Sequence, residues 1–212
     1  MKKQLFIPVG STILEGNLVM PEKSSSIVIF AHGSGSSRLS PRNRYVAGVL
    51  QASGLSTLLF DLLSAEEESI DSVTGELRFD IPFLSKRLNA ATEWLFKDRD
   101  LKTFVAGYFG ASTGAAAALI AAAQRPDLIK AIVSRGGRPD LAMDFLPQVK
   151  SPVLFIVGSL DNKVIELNKK AAELISAANN LILVPGASHL FEEPGTLQEV
   201  ARLATDWFLK YL

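Results

Sequence analysis

Apolar and polar residues alternate along Gln4–Val9 and again along Thr12–Met20, with the polar pair Gly10-Ser11 between the two runs. Alternation with a period of two puts one face on a core and the other in water. The segment therefore predicts two antiparallel strands joined by a turn. Ser26–Ala31 (SIVIFA) is instead a continuous β-branched and aromatic run, the pattern of a strand buried on both faces. Ser40-Pro41 reads as an N-cap and first-turn proline opening a helix that reaches Ala52. Leu58–Asp61 is a further short apolar strand. The acidic stretch Ser64–Glu76 predicts an excursion over the surface, and Ile81–Lys97 an amphipathic helix.

From there the chain alternates regularly. Thr103–Gly107 reads as strand, Thr113–Gln124 as helix, Lys130–Ser134 as strand and Asp140–Phe145 as a short helical piece. Val153–Val157 (strand), Val164–Ala177 (helix), Leu181–Val184 (strand) and Thr196–Leu212 (helix) complete the series. This rhythm predicts an α/β fold, a mostly parallel, doubly wound sheet of about eight strands with helices on both faces. Nothing repeats and no Pro/Gly-rich linker interrupts the pattern, so residues 1–212 read as a single domain.

Composition narrows the function classes. Lys plus Arg and Asp plus Glu are both 22, a formal net charge of +0, so no bulk field favours nucleic acid or an anionic membrane. The chain has no cysteine, which excludes disulfides, zinc–thiolate sites and a thiol nucleophile, and suits a reducing compartment. The apolar start is cut short by Pro8 and Gly10. The small-residue run Gly114–Ala123 is far below the roughly 20 residues of a membrane span. A cytoplasmic protein acting on a small molecule is the expectation, with no metal and no organic cofactor.

The sharpest chemical signal is Gly110-Ala111-Ser112-Thr113-Gly114, a G-x-S-x-G sequence between a predicted strand and an alanine-rich helix. In that setting the serine sits on a strained strand-to-helix turn at the carboxyl edge of the sheet, beside a helix N-terminus that favours developing negative charge. A serine hydroxyl needs a base. The chain has two histidines, and His189 follows the last predicted strand, on that same edge. Asp161, in Val157-Gly158-Ser159-Leu160-Asp161, follows another strand end and is the candidate acid to orient the imidazole. A helix cap is its plain alternative. Asp127, Asp140, Asp144, Glu166 and Glu173 are the other carboxylates between serine and histidine. The loop His32-Gly33-Ser34-Gly35 follows the first buried strand. Its Ser34 N–H, with Gly33 next in order, is the candidate partner of the Thr113 N–H in an oxyanion hole. His32 reads as a structural residue that fixes this loop. A phosphate-cradling reading of the loop is disfavoured by Arg38 where a third glycine would fall.

These motifs together resemble the α/β-hydrolase superfamily over nearly the whole chain, and most closely its compact dienelactone-hydrolase-like branch without a large cap. The resemblance rests on His32-Gly33, Gly110–Gly114, Gly158 with Asp161, and Gly186 with His189. It implies a Ser112–His189–Asp161 triad for cleavage of a small ester. Ser112 stands where dienelactone hydrolases carry a cysteine, which moves the expectation from lactone opening toward a carboxylesterase. Acyl transfer on the same triad and a non-catalytic binding domain are the alternatives. Arg135 and Arg138, flanking Gly136-Gly137 after a predicted strand, are candidate clamps for an anionic group on the substrate. Their plain alternative is pairing with the acidic stretch around Glu66–Glu68.

Overall fold

The structure, a computed structural model, describes residues Met1–Leu212. One eight-stranded sheet runs through it, with strands β1 (Lys2–Val9), β2 (Thr12–Val19), β3 (Ser26–Ala31), β4 (Ser56–Phe60), β5 (Val105–Ala111), β6 (Ile129–Arg135), β7 (Val153–Gly158) and β8 (Asn179–Val184). Their spatial order is β1-β2-β4-β3-β5-β6-β7-β8. β1 and β2 pair antiparallel, as does β2 with β4, and every other pairing is parallel. The helices are α1 (Pro41–Ala52), α2 (Ala65–Thr74), α3 (Ile81–Leu95), α4 (Thr113–Gln124), α5 (Asn162–Leu174) and α6 (Thr196–Tyr211), with a 3₁₀ helix over Pro139–Gln148.

Two apolar cores sandwich the sheet. α1 and α6 cover one face around Val28, Phe30, Phe109 and Phe208; α3, α4, α5 and the 3₁₀ helix cover the other around Ile29, Tyr108 and Phe155. The uninterrupted apolar runs of β3 and β7 are buried at every position, as a strand covered on both faces requires. Only the 3₁₀ helix lies between β6 and β7, and it packs on α4, so no lid is inserted over the carboxyl edge. No helix is long and apolar enough to cross a membrane.

The order of strands decides where chemistry can sit. After β3 the chain crosses outward to β4, then returns to place β5 on the other side of β3. The loops leaving β3 and β5 therefore diverge, and open a crevice at the carboxyl edge between Ala31 and its register partner Gly110.

Several boundaries differ from the sequence expectation. β5 does not stop at Gly107 but continues to Ala111; a Cβ at Gly107 would lie 2.7 Å from the Phe208 ring, so that glycine makes room for α6. β6 runs through Arg135, placing this residue inside the strand. The acidic excursion contains a helix, α2. A reciprocal capping box between Ser64 and Glu67 starts it and left-handed Gly75 ends it. The short helical piece near Asp140 is a longer 3₁₀ helix carrying Pro147.

Candidate active site

Ser112 lies between the last residue of β5 and the first of α4, with φ 51° and ψ −120°. A non-glycine residue in this region is strained, and such strain persists only where surroundings over-determine it. Here they do. The Ser112 N–H donates to the Arg135 carbonyl at 3.1 Å, while the Ser112 carbonyl accepts from Ala115 N–H and Arg138 N–H, both at 3.1 Å. Both flanking glycines of the motif are required by close approach. A Cβ at Gly110 would fall 2.4 Å from the Ala115 Cα, and one at Gly114 2.2 Å from the Ala31 carbonyl oxygen. Because backbone cannot move aside as a side-chain tip can, Gly114→Ala is expected to cost about 3 kcal/mol. In a chain of this size that lowers the melting temperature by roughly 6–12 °C. A thermal melt within 2 °C of wild type would show that the α4–β3 contact is looser than these distances say.

The loops after β7 and β8 bring Asp161 and His189 together. Leu160 N–H donates to the Ala187 carbonyl at 3.0 Å, and the Ser159 hydroxyl accepts the Gly186 N–H at 2.8 Å. Asp161 occupies the N-cap position of α5, the plain alternative, yet its side chain makes no capping bond. The carboxylate turns instead to His189, accepting from Nδ1 at 2.6 Å. That bond fixes the proton on Nδ1 and leaves the Nε2 lone pair free. The Asp161 side chain is 16% exposed and the His189 ring 39%.

His189 Cε1 lies 3.5 Å from the point where a Gly136 Cβ would be, next to the Arg135 carbonyl that holds Ser112. The imidazole therefore lies against the Arg135–Gly136 turn that anchors Ser112, and Ser112 Oγ and Nε2 form no direct hydrogen bond. Such a gap is ordinary for an apo site, where catalytic bonds tighten on substrate binding. Among the competing carboxylates, Asp140 is held by Arg138 and Glu166 by Lys169.

His32 is buried, and both ring nitrogens are used. Nε2 accepts the Leu62 N–H and Nδ1 donates to the Gly33 carbonyl, each at 3.0 Å. Burial holds its pKa below the usual histidine value, against the opposing pull of the Gly33 bond, so the ring stays neutral and structural. Ser34, the first-choice oxyanion donor, does face the elbow, but its N–H donates to Thr113 Oγ1 at 2.8 Å.

The two arginines separate. Arg138 lies outside the strand and grips Asp140 with Nε and Nη2 at 2.8 and 2.7 Å. Arg135 is 6% exposed, between Asn43 of α1 and the Phe191 ring; its one side-chain bond is Nη2 to Asn43 Oδ1 at 3.4 Å. Burial, with Arg42 nearby, pushes this guanidinium down to about 10. Neither pairs with the acidic stretch, where Arg87 takes Glu67. Asn43, Phe191 and Glu193, which accepts the Ser188 N–H at 3.0 Å, carried no signal in the sequence. A cleft of about 680 Å³ opens beside the loop after β3, between His32, Gly35 and Ser36 and the β1–β2 hairpin, but the triad candidates do not line it. No cluster of three His, Asp or Glu side chains is placed to hold a metal.

Comparison with known proteins identifies the family and the fold. The dienelactone hydrolase family profile matches residues 18–211. The crystal structure of a dienelactone hydrolase from Anabaena variabilis is 56% identical, with a TM-score of 0.98 over 100% of this chain and 98% of the other. A lidless serine hydrolase from Xanthomonas campestris shares the fold at 20% identity and a TM-score of 0.80, over 99% and 94% of the two chains. Two Mycobacterium tuberculosis proteins that carry a provisional phosphoribosyl transferase name are 52% identical over 210 residues. The match takes in 99% of this chain and 46% of theirs, so the chain spans about half the length of these curated relatives.

Proposed function

The chain belongs to the dienelactone hydrolase family of α/β-hydrolases, and on that premise we propose that it cleaves a small carboxylic ester through an acyl-enzyme on Ser112. The observation that carries the reading is the Asp161–His189 bond of 2.6 Å, made by a carboxylate that forgoes the helix cap it sits on. His189 Nε2 takes the Ser112 proton as Oγ attacks the acyl carbon, and the imidazolium hands that proton to the departing alkoxide. Water, deprotonated by the same nitrogen, then releases the acid. Hydrolysis is favoured over acyl transfer because the His189 ring is 39% exposed and water reaches it directly. Serine in place of a thiol favours ordinary esters over the family's eponymous lactones. The phosphoribosyl transferase name belongs to proteins about twice as long, and residues 1–212 act here as one hydrolytic unit.

Time-resolved hydrolysis of activated acetate and butyrate esters, with mass spectrometry of the quenched enzyme, tests the reading. An acyl adduct on the peptide containing Ser112 is expected. Turnover without any adduct on Ser112, or none at all from folded protein, would move the function elsewhere.

An anionic substrate is a finer reading, and after the pairing of Arg138 with Asp140 it rests on Arg135. Its guanidinium is buried without a carboxylate, a costly arrangement that a substrate anion would relieve. Arg135→Met is then expected to raise KM for a carboxylate-bearing ester about ten-fold while sparing a neutral one. Equal losses on both esters would mean that Arg135 only supports the Phe191 turn.

A further inference from the structure

The oxyanion loop is not arranged as its sequence implied. Two backbone N–H groups, from Ser34 and Thr113, were expected to point together at the substrate oxygen. Instead the Ser34 N–H is taken by a side chain, Thr113 Oγ1, at 2.8 Å. Thr113 is 4% exposed and stands at the first position of α4, immediately after the nucleophile. Its backbone N–H has no acceptor within the helix, as is true of every first-turn donor. Its hydroxyl accepts from Ser34, and the hydroxyl proton has no protein acceptor. One buried residue beside Ser112 therefore holds two unspent donors.

We infer that the Thr113 hydroxyl is itself an oxyanion donor, so that both contacts to the substrate oxygen come from Thr113 and the Ser34 N–H acts through Oγ1. This rests on the serine-hydrolase reading and specifies its transition-state machinery. As Ser112 Oγ bonds to the acyl carbon, the carbonyl π pair moves onto oxygen and the serine proton goes to His189. The Thr113 O–H and N–H donate to that oxygen without transferring a proton. When the intermediate collapses the pair returns, the ester C–O bond breaks and the alkoxide takes the proton from His189. A hydroxyl that already accepts a hydrogen bond is the better donor, so Ser34 strengthens the contact. Ser34 is then a positioning residue. The loop is close enough to serve: a Cβ on Gly33 would lie 3.2 Å from the Ser112 Cβ.

Thr113→Val keeps shape and removes the donor; Thr113→Ser keeps the donor. With a neutral activated ester, valine is expected to lower kcat by about 10²–10³-fold with KM nearly unchanged. Affinity for a trifluoromethyl ketone should fall in parallel, and serine should stay within about ten-fold of wild type. If valine does not fold at this buried position, Thr113→Ala carries the same comparison. Valine or alanine with wild-type or higher kcat overturns the inference, because the hydroxyl would then be a plug that substrate displaces. Equal losses in serine and valine alongside a lowered melting temperature also overturn it, in favour of a packing role. Wild-type protein that takes no fluorophosphonate on Ser112 refutes the hydrolase reading itself, whereas labelled wild type with an unimpaired valine variant refutes only the donor role.

Discussion

Ser112→Ala is expected to abolish covalent labelling by a fluorophosphonate probe and to lower turnover of an activated ester by roughly 10⁴–10⁶-fold. Removing the nucleophile removes the acyl-enzyme route altogether and leaves only what the oxyanion donors and binding supply. The effect should be free of unfolding. Alanine at φ 51° is no more strained than serine, and the bonds that hold the turn are backbone bonds to Arg135, Ala115 and Arg138. Rival serines are poorly placed. Ser134 is 0% exposed, and the histidine in the loop of Ser34, His32, has both ring nitrogens engaged with backbone. Peptide mapping decides the matter: a label on Ser34, or a folded wild type that stays unlabelled, would remove Ser112 from the mechanism.

The candidate triad positions were legible because each follows a strand whose apolar run is unmistakable. Residues after parallel strands all emerge at one edge, so Ser112, Asp161 and His189 had to share it. What could not be read depends on partners remote in sequence. Gly107 resembles a strand end, yet it is a contact point for Phe208, 101 positions on. The α2 helix was hidden because its polar pattern has no core face: Ile70 and Val73 are 64% and 88% exposed. It is held by its capping box and by Asp71, which accepts the Leu77 N–H and the Arg78 Nε–H at 2.6 Å each. Whether Arg135 was free or paired also depended on α1 and the loop after β8. The Ser34–Thr113 bond spans 79 residues and joins a backbone donor to a side chain, so no spacing rule announces it.

Asp161→Asn is expected to lower kcat by about 10³–10⁴-fold with KM and melting temperature near wild type. The asparagine fits the same space, so packing is kept; what changes is the direction of one hydrogen bond. The Asp161 carboxylate accepts from His189 Nδ1 at 2.6 Å, which keeps the proton on Nδ1 and the lone pair on Nε2. An amide N–H in that place donates to Nδ1 and drives the proton to Nε2, where the ring can no longer accept from Ser112. The variant also lacks the negative charge that stabilises the imidazolium formed in the transition state. Folding should be spared because the Asp161 side chain makes no capping bond to α5, so helix stability does not depend on it. Asp140→Asn is the matched control. Its carboxylate serves Arg138, and its loss should change kcat by less than about three-fold, in line with the small worth of a partly exposed ion pair. The diagnostic measurement is kcat and KM for both variants on one neutral ester. An active Asp161→Asn beside an inactive Asp140→Asn would transfer the acid to the 3₁₀ helix and make the 2.6 Å contact incidental.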